Sequence, residues 1–446
     1  LTARSARIAD RLAAPFRRFF AIEASSALLL LFASVIALAW VNSAWGESYA
    51  RLWHTKLGVS LGELELVMSL EHWVNDGLMV FFFFLVGMEI KHELAHGELS
   101  SRERAMLPIF GALGGMLVPA TIYAALHRGE PTLAGWGVPM ATDIAFAVAA
   151  LALFGRRVPS GLKVFLLALA IVDDLGAVTV IAVFYTDRIS LAALGWAAAG
   201  LAGVLALQRA DVRSYIPYWI VGAGVWLAVL ASGVHATVAG VVLGFLTPTA
   251  VLAPEHSLAS RGRALLASAL GWIEDGRLDS ARERKRLAQE LRELSTASLS
   301  PLERLTEGLH PWSAFLVMPI FALANAGVVV EGRALEDPLA LRVSLGVALG
   351  LLAGKPVGIT LFAWIAVRLR LAELPSGVDW RSLFGAALLA GIGFTMALFV
   401  TALAFDDPAH AAASKAGVML GSLLATLLGI SVLALALPRA DRRSSP

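Results

Sequence analysis

Leu162-Lys-Val-Phe-Leu-Leu-Ala-Leu-Ala-Ile-Val-Asp-Asp-Leu-Gly-Ala-Val-Thr-Val-Ile-Ala-Val-Phe184 is long and apolar enough to cross a bilayer as one helix, yet it carries two adjacent carboxylates near its middle. On a membrane-insertion scale an Asp at the centre of a helix costs about 2.5–3.5 kcal/mol. Two such residues side by side therefore need partners, water or a ligand. Adjacent helical positions point about 100° apart, so Asp173 and Asp174 face different surroundings and suit different tasks. In a low dielectric two carboxylates this close do not both ionise cheaply, and a proton and a small hard cation compete for them. Oxygen ligands favour alkali or alkaline-earth ions over soft metals. The bland alternative is a salt-bridged structural pair.

The rest of the chain agrees with a bilayer. Of 446 residues 58% are hydrophobic and only 16% charged, well below the quarter typical of soluble domains, which argues against a large soluble enzyme. There is no Cys, so disulfides, thiolate metal sites and cysteine nucleophiles are excluded. Apolar stretches at about 21–41, 74–90, 106–126, 135–154, 162–184, 190–207, 215–231, 234–247, 311–330, 341–366, 382–404 and 416–437 predict twelve transmembrane helices in an all-α polytopic membrane protein. Assigned by alternating loops, seven of the 36 Lys and Arg fall outside: Arg51, Lys56, Arg128, Arg188, Arg333, Arg342 and Lys415. Lys355 lies within a span, and the remaining 28 fall inside, which orients both termini to the cytoplasm.

Three regions flank or interrupt the spans. Residues 1–20 form a basic N-terminal segment with Arg4, Arg7, Arg11, Arg17 and Arg18, and 438–446 form a tail. Within about 48–70, the alternation of Leu57, Val59, Leu61, Leu64 and Leu66 with polar residues and Gly predicts an external β-hairpin turning near Gly62. An isolated hairpin is marginal in water, so it needs a surface to pack on, and a second copy of the chain is one. Within the long loop 248–310, the mixed charges of Ala281 to Glu293 predict a solvated helix.

Other ionisable residues stand out at span depth. Pro139-Met-Ala-Thr-Asp-Ile-Ala-Phe146, preceded by Gly135 and Gly137, predicts an interrupted fourth span, with Thr142 and Asp143 serving its freed backbone. Gly385, Gly391 and Gly393 ahead of Phe394-Thr395 predict a second interruption in the eleventh span, although glycines also serve close packing. Opposed half-helix ends carry partial charges that Asp143 and Lys355 have the right signs to offset. Lys355, in Ala353-Gly-Lys-Pro-Val-Gly358, lies too deep to snorkel and suits pairing with a carboxylate of the fifth span, either as a permanent salt bridge or as a pair that cation binding breaks. At the end of the second span, Glu89 and Glu93 share a helix face with His92 nearby, either as a cation-attracting mouth or proton sensor that responds to pH, or as an ordinary charged helix end. His235 and His310 are read either as structural histidines or as pH-responsive groups.

The runs Ala141-Thr-Asp-Ile-Ala-Phe146, Val172-Asp-Asp-Leu175, Gly354-Lys-Pro-Val-Gly358, Ser232-Gly-Val-His-Ala-Thr237 and Asn75-Asp-Gly-Leu78 resemble the NhaA-type sodium/proton antiporter family, over about Phe20 to Leu437. The resemblance implies twelve helices with inverted-topology repeats, crossed interrupted helices in spans four and eleven, and a homodimer joined partly through the hairpin. The rule that such a pair of interrupted spans marks a midplane ion site was itself drawn in part from this family. The resemblance further implies that Asp173 and Asp174 bind Na+ and protons, that Asp143 and Lys355 sit at the helix crossing, and that Glu89, Glu93, His235 and His310 take part in the pH response. His92 stands where relatives often have Arg, and Glu303 and Thr306 where some have Lys and Glu, so the ion site carries over more firmly than the pH threshold.

The expected function is exchange of cytoplasmic Na+ or Li+ for external H+ by alternating access in a bacterial inner membrane, electrogenic and pH-regulated, serving sodium and pH homeostasis. No cofactor, nucleic acid or organic substrate is expected, and membrane lipid is the expected surrounding. One alternative is proton-coupled antiport of K+ or Ca2+. The enzyme alternative, an intramembrane aspartyl protease using Asp143 and Asp173, lacks the Gly-x-Gly-Asp run and leaves Lys355 and Asp174 without a task.

Overall fold

The computed structural model describes residues 25–61, 64–186, 189–212, 214–250, 255–274, 281–329 and 337–438. The basic segment 1–20, the turn near Gly62 and the tail beyond residue 438 lie outside these residues.

The chain is an all-α membrane protein with one small hairpin. Helix α1 (Ser25–Val41) turns by 113° into α2 (Gly46–His54). Strands β1 (Lys56–Leu61) and β2 (Leu64–Ser69) then pair antiparallel in a register from Lys56↔Ser69 to Leu61↔Leu64, as the period-two alternation predicts. Helices α3 (Leu70–His96) and α4 (Arg102–Leu126) follow. The next span is divided into a 3-10 segment (Pro131–Met140) and α5 (Ile144–Ala152). After it come α6 (Ser160–Phe184), α7 (Leu191–Arg209), α8 (Tyr215–Ser232) and α9 (Thr237–Leu246). Helices α10 (Glu255–Glu274) and α11 (Ala281–Ser298) occupy the long loop. Helix α12 (Pro301–Trp312) passes through a π turn (Ser313–Val317) into α13 (Met318–Asn325). The chain ends with α14 (Pro338–Arg368), α15 (Trp380–Ala390), α16 (Phe394–Ala404) and α17 (Pro408–Ala436).

Among the described residues eight helices are long and apolar enough to cross a membrane, or ten if each of two bent pairs, α1–α2 and α15–α16, makes one span. Two of the twelve expected spans fall short of that measure. Helix α9 has 10 residues and reaches about 15 Å, half the usual hydrocarbon thickness. The α12–α13 stretch is not apolar enough: its first half, Pro301–Trp312, carries Glu303, Arg304, Glu307 and His310.

Two boundaries differ from the sequence expectation. The helix leading into the ninth stretch starts at Pro301, within the loop and ahead of residue 311, because Ser300 and Glu303 form a capping box: the Ser300 hydroxyl accepts from the Glu303 amide at 3.2 Å, and the Glu303 carboxylate accepts from the Ser300 amide at 2.7 Å. The loop holds two helices where one was expected, with the α10 residue Leu265 buried.

The two largest apolar clusters among the described residues form most of the interior. One gathers Phe83, Phe321 and Phe399, the other Phe165, Leu169 and Ile359. Helices α4 and α14 cross backbone to backbone: a Cβ on Gly358 would collide with the Gly114 carbonyl oxygen, and the reverse also holds. This close approach admits only glycine and brings the middle of α14, where Lys355 sits, into the protein interior.

Candidate functional site: a charged crossing of two interrupted spans

In the fourth span the helix gives way to extended backbone at Ala141–Asp143, and Asp143 restarts it as the N-cap of α5, its carboxylate accepting from the Phe146 amide at 3.2 Å. In the eleventh, α15 stops at Ala390 and α16 restarts at Phe394 with a 46° bend. The two breaks are laced together. The Asp143 amide donates to the Ile392 carbonyl at 2.6 Å, and the Thr142 hydroxyl lies 3.0 Å from the Ala390 carbonyl. The second oxygen of Asp143 accepts from the Thr395 amide at 3.1 Å and from its hydroxyl. One carboxylate thus serves the positive ends of two half-helices, α5 and α16. The Ser422 hydroxyl of α17 accepts from the Gly393 and Phe394 amides at 3.2 Å each, meeting further donors that the break leaves free.

Lys355, fully buried on α14, lies at the opposite pole. A π turn (Gly350–Gly354) and Pro356 bracket it, so the helix is locally widened where its side chain turns inward. Its ammonium lies 2.8 Å from Asp173 Oδ2 and also donates to the carbonyl of Met140, the last residue of the 3-10 segment. A positive charge therefore meets the negative end of that half-helix.

Asp173 and Asp174 are both buried on α6 but look in different directions. Asp173 Oδ2 receives the ammonium and lies 2.6 Å from the Thr142 hydroxyl, while its Oδ1 has no hydrogen-bond partner among the described residues. Thr142 has one hydroxyl hydrogen and two oxygens within reach, Asp173 Oδ2 and the Ala390 carbonyl, so it donates to one of them at a time.

Asp174 lines a cavity of about 510 Å³ shared with Thr142 and Asp143. Its wall carries Glu89, His92 and Glu93 from α3, and Glu303, Glu307 and His310 from α12. The carboxylate of Glu303, at the start of α12, is held below its ordinary range chiefly by the hydrogen bond from the Ser300 amide. The sequence-predicted Glu89, His92, Glu93 and His310 thus converge on one cavity with Asp174. His235 does not join them. It pairs through Nε2 with Asp76 at 3.3 Å, meets the Thr237 hydroxyl at 2.9 Å through Nδ1, and lies edge-on to Phe399. Among the described residues no group of three or more His, Asp and Glu side chains is arranged to hold a resident metal.

Sequence reasoning did not single out Ser422, Glu307 or the Met140 carbonyl. The run Ser300-Pro-Leu-Glu303 carries the capping-box pattern from which a helix through Glu307 could have been read; the backbone carbonyl left no residue-type signal.

The fold and site define a class: polytopic membrane proteins in which two interrupted helices meet at buried, opposed charges. The model of the "Na+/H+ antiporter 1" family matches residues 17–433. The chain is 46% identical over 435 residues to "Na(+)/H(+) antiporter NhaA" of Rhodopirellula baltica, covering 97% of each chain. It is 48% identical over 431 residues to "Na(+)/H(+) antiporter NhaA 2" of Sorangium cellulosum, covering 96% of this chain and 91% of the relative. It is also 48% identical over 420 residues to "Na(+)/H(+) antiporter NhaA" of Oleidesulfovibrio alaskensis, covering 93% and 92%. The chain belongs to the Na+/H+ antiporter 1 family.

Proposed function

We propose that this chain exchanges cytoplasmic Na+ or Li+ for external H+ by alternating access, with Asp173 and Asp174 as the shared binding site for ion and proton. Its family and its relatives are Na+/H+ antiporters, and it is a transport protein rather than an enzyme. The observation that carries the site assignment is the placing of Asp174 in a cavity walled by acidic and imidazole side chains, beside an Asp173 held by Lys355 and Thr142.

The carboxylates of the wall attract a cation, and a dehydrated Na+ finds oxygens at Asp174 and Asp173. Its arrival competes with the Lys355 ammonium and with protons for the same oxygens. Two protons released per ion bound make the cycle electrogenic. Asp143, Thr142 and Lys355 compensate the half-helix ends at the crossing, and Glu89, His92, Glu93, His235 and His310 shape the pH response. In the same reading the chain has twelve spans in inverted repeats over 21–437, between a basic segment 1–20 and a tail 438–446. It lies in a bacterial inner membrane with both termini cytoplasmic and pairs as a homodimer through the hairpin.

The protease alternative finds no support in the geometry, because both oxygens of Asp143 are engaged in capping the two half-helices. Antiport of K+ or Ca2+ is separated by competition among Na+, Li+, K+ and Ca2+ in reconstituted vesicles. The test of the reading is a pH-sensitive dye in everted vesicles. Na+ addition dequenches it with the wild type and not with Asp174→Ala, and an equal response from both contradicts the site assignment.

A further inference from the structure

The segment Pro131–Met140 brings the Met140 carbonyl to Lys355 and, two residues on, Thr142 to Asp173. It is wound as a 3-10 helix, whose own hydrogen bonds are poorly aligned and which rarely runs this long unaided. Two phenols hold it. Tyr185, the C-cap residue of α6, donates to the Ala134 carbonyl at 2.7 Å and accepts from the Gly137 amide at 3.2 Å. Tyr123 of α4, fully buried, donates to the Thr132 carbonyl at 2.9 Å. The Tyr123 ring stacks on His127 with centroids 4.2 Å apart, and His127 Nδ1 lies 2.8 Å from the Thr132 hydroxyl.

Gly135 and Gly137 make this clasp sterically possible. A Cβ on Gly137 would stand 2.7 Å from the Tyr185 hydroxyl oxygen, and one on Gly135 would stand 2.6 Å from that of Tyr123. A side chain at Gly137 pushes Tyr185 off the backbone it serves, and one at Gly135 meets the Phe405 ring as well as Tyr123.

Tyr185 lies on the same side of the sequence as the carboxylates. Helix α6 carries Asp173 and Asp174 and ends, about 17 Å further along, at the Tyr185 cap. The 3-10 segment and the two residues after it are therefore tied to α6 at both ends, by Tyr185 at Ala134 and Gly137 and by the Thr142–Asp173 bond. We infer that Tyr185 and Tyr123 are positioning residues for ion exchange, Tyr185 locking this half of the interrupted span to α6, the helix bearing the two aspartates, and Tyr123 locking it to α4, so that the Met140 carbonyl and Thr142 stay in register with Lys355 and Asp173. The inference rests on Asp173 and Asp174 being the exchange site.

The experiment measures Na+-dependent dequenching in everted vesicles for Tyr185→Phe, Tyr123→Phe and Gly137→Ala, with Asp174→Ala and Tyr218→Phe alongside. Each Phe keeps the ring and removes only the hydroxyl. Tyr218 also donates to a backbone carbonyl, that of Val212 at 3.1 Å, but lies away from the crossing. The Na+ concentration for half-maximal response rises about threefold or more in Tyr185→Phe and in the same direction in Gly137→Ala, as loss of one or two hydrogen bonds implies. The maximal rate stays within about twofold, and Tyr218→Phe matches the wild type. An unchanged half-maximal concentration in both Phe variants overturns the inference, as does a lower maximal rate accompanied only by a lower thermal midpoint in detergent, which is the mark of a purely structural role. If Tyr185→Phe does not accumulate, Tyr123→Phe and Gly137→Ala decide by the same criterion. A response that persists in Asp174→Ala counts against the exchange site itself, independently of the clasp.

Discussion

At the scale of single residues, the account turns on a buried ion pair and a hydroxyl that both meet one carboxylate oxygen, Asp173 Oδ2. Removing one partner of a buried pair strands the other charge, which costs about 3–5 kcal/mol, whereas removing both costs less than the sum. Asp173→Asn and Lys355→Met each lower the thermal midpoint in detergent, and the double variant is more stable than their added losses predict; strictly additive losses contradict a coupled pair. Thr142→Val removes the hydroxyl that faces Asp173 and the Ala390 carbonyl. It raises the Na+ concentration for half-maximal exchange about tenfold, while Thr142→Ser stays near wild type; equal behaviour of the two variants, measured in vesicles, assigns no role to the hydroxyl. The aspartates and the lysine were legible in the sequence because an ionisable side chain in an apolar run is costly wherever it points. Their partners were less so. That Lys355 also holds the Met140 carbonyl could not be read, since a backbone oxygen carries no residue-type signal, and Ser422 is one of several hydroxyls in α17.

At the scale of elements, the interruptions follow from local chemistry. Pro139 and the glycines before it weaken the fourth span, and Asp143 supplies the cap that restarts it as α5. These breaks were readable from Pro, Gly and Asp spacing, and the hairpin from its alternation. The π turns ahead of Lys355 and after Trp312 were not, because each inserts one residue into a helix without changing its apolar pattern. The capping box at Ser300 gives a prediction with a pH sign. The folded Glu303 carboxylate titrates below its ordinary value, chiefly because it accepts the Ser300 amide. Its stabilisation is therefore fully present above the unfolded value near 4.3 and is lost as pH falls through the lower, folded value. Glu303→Ala lowers stability by about 0.3–1.5 kcal/mol at pH 7, and the gap from wild type narrows in acid; a gap that is constant with pH in thermal melts contradicts the assignment. At the α4–α14 crossing, Gly358→Val drives a side chain into the Gly114 carbonyl and costs about 1–3 kcal/mol by the same assay.

At the scale of the whole molecule, the composition announces a membrane, and the family match spans residues 17–433. Of the twelve expected spans, eight to ten stand among the described residues as helices long and apolar enough to cross a membrane; α9, with 10 residues, falls short, and a hydropathy run does not reveal where a helix stops. The convergence of α3 and α12 residues on the cavity of Asp174 was also beyond the sequence, because it depends on which helices pack together. If the hairpin joins two copies, deleting residues 56–69 converts dimers to monomers in native mass spectrometry while leaving the fold intact, and retained dimers place the interface elsewhere. The central claim is that H+ and Na+ compete for the same oxygens. Calorimetric Na+ titration of the detergent-purified protein from pH 6 to pH 9 tests it most directly. The account predicts affinity that strengthens as the pH rises and heats that vanish in Asp173→Asn and Asp174→Asn. Affinity indifferent to pH, or binding that survives both substitutions, contradicts it.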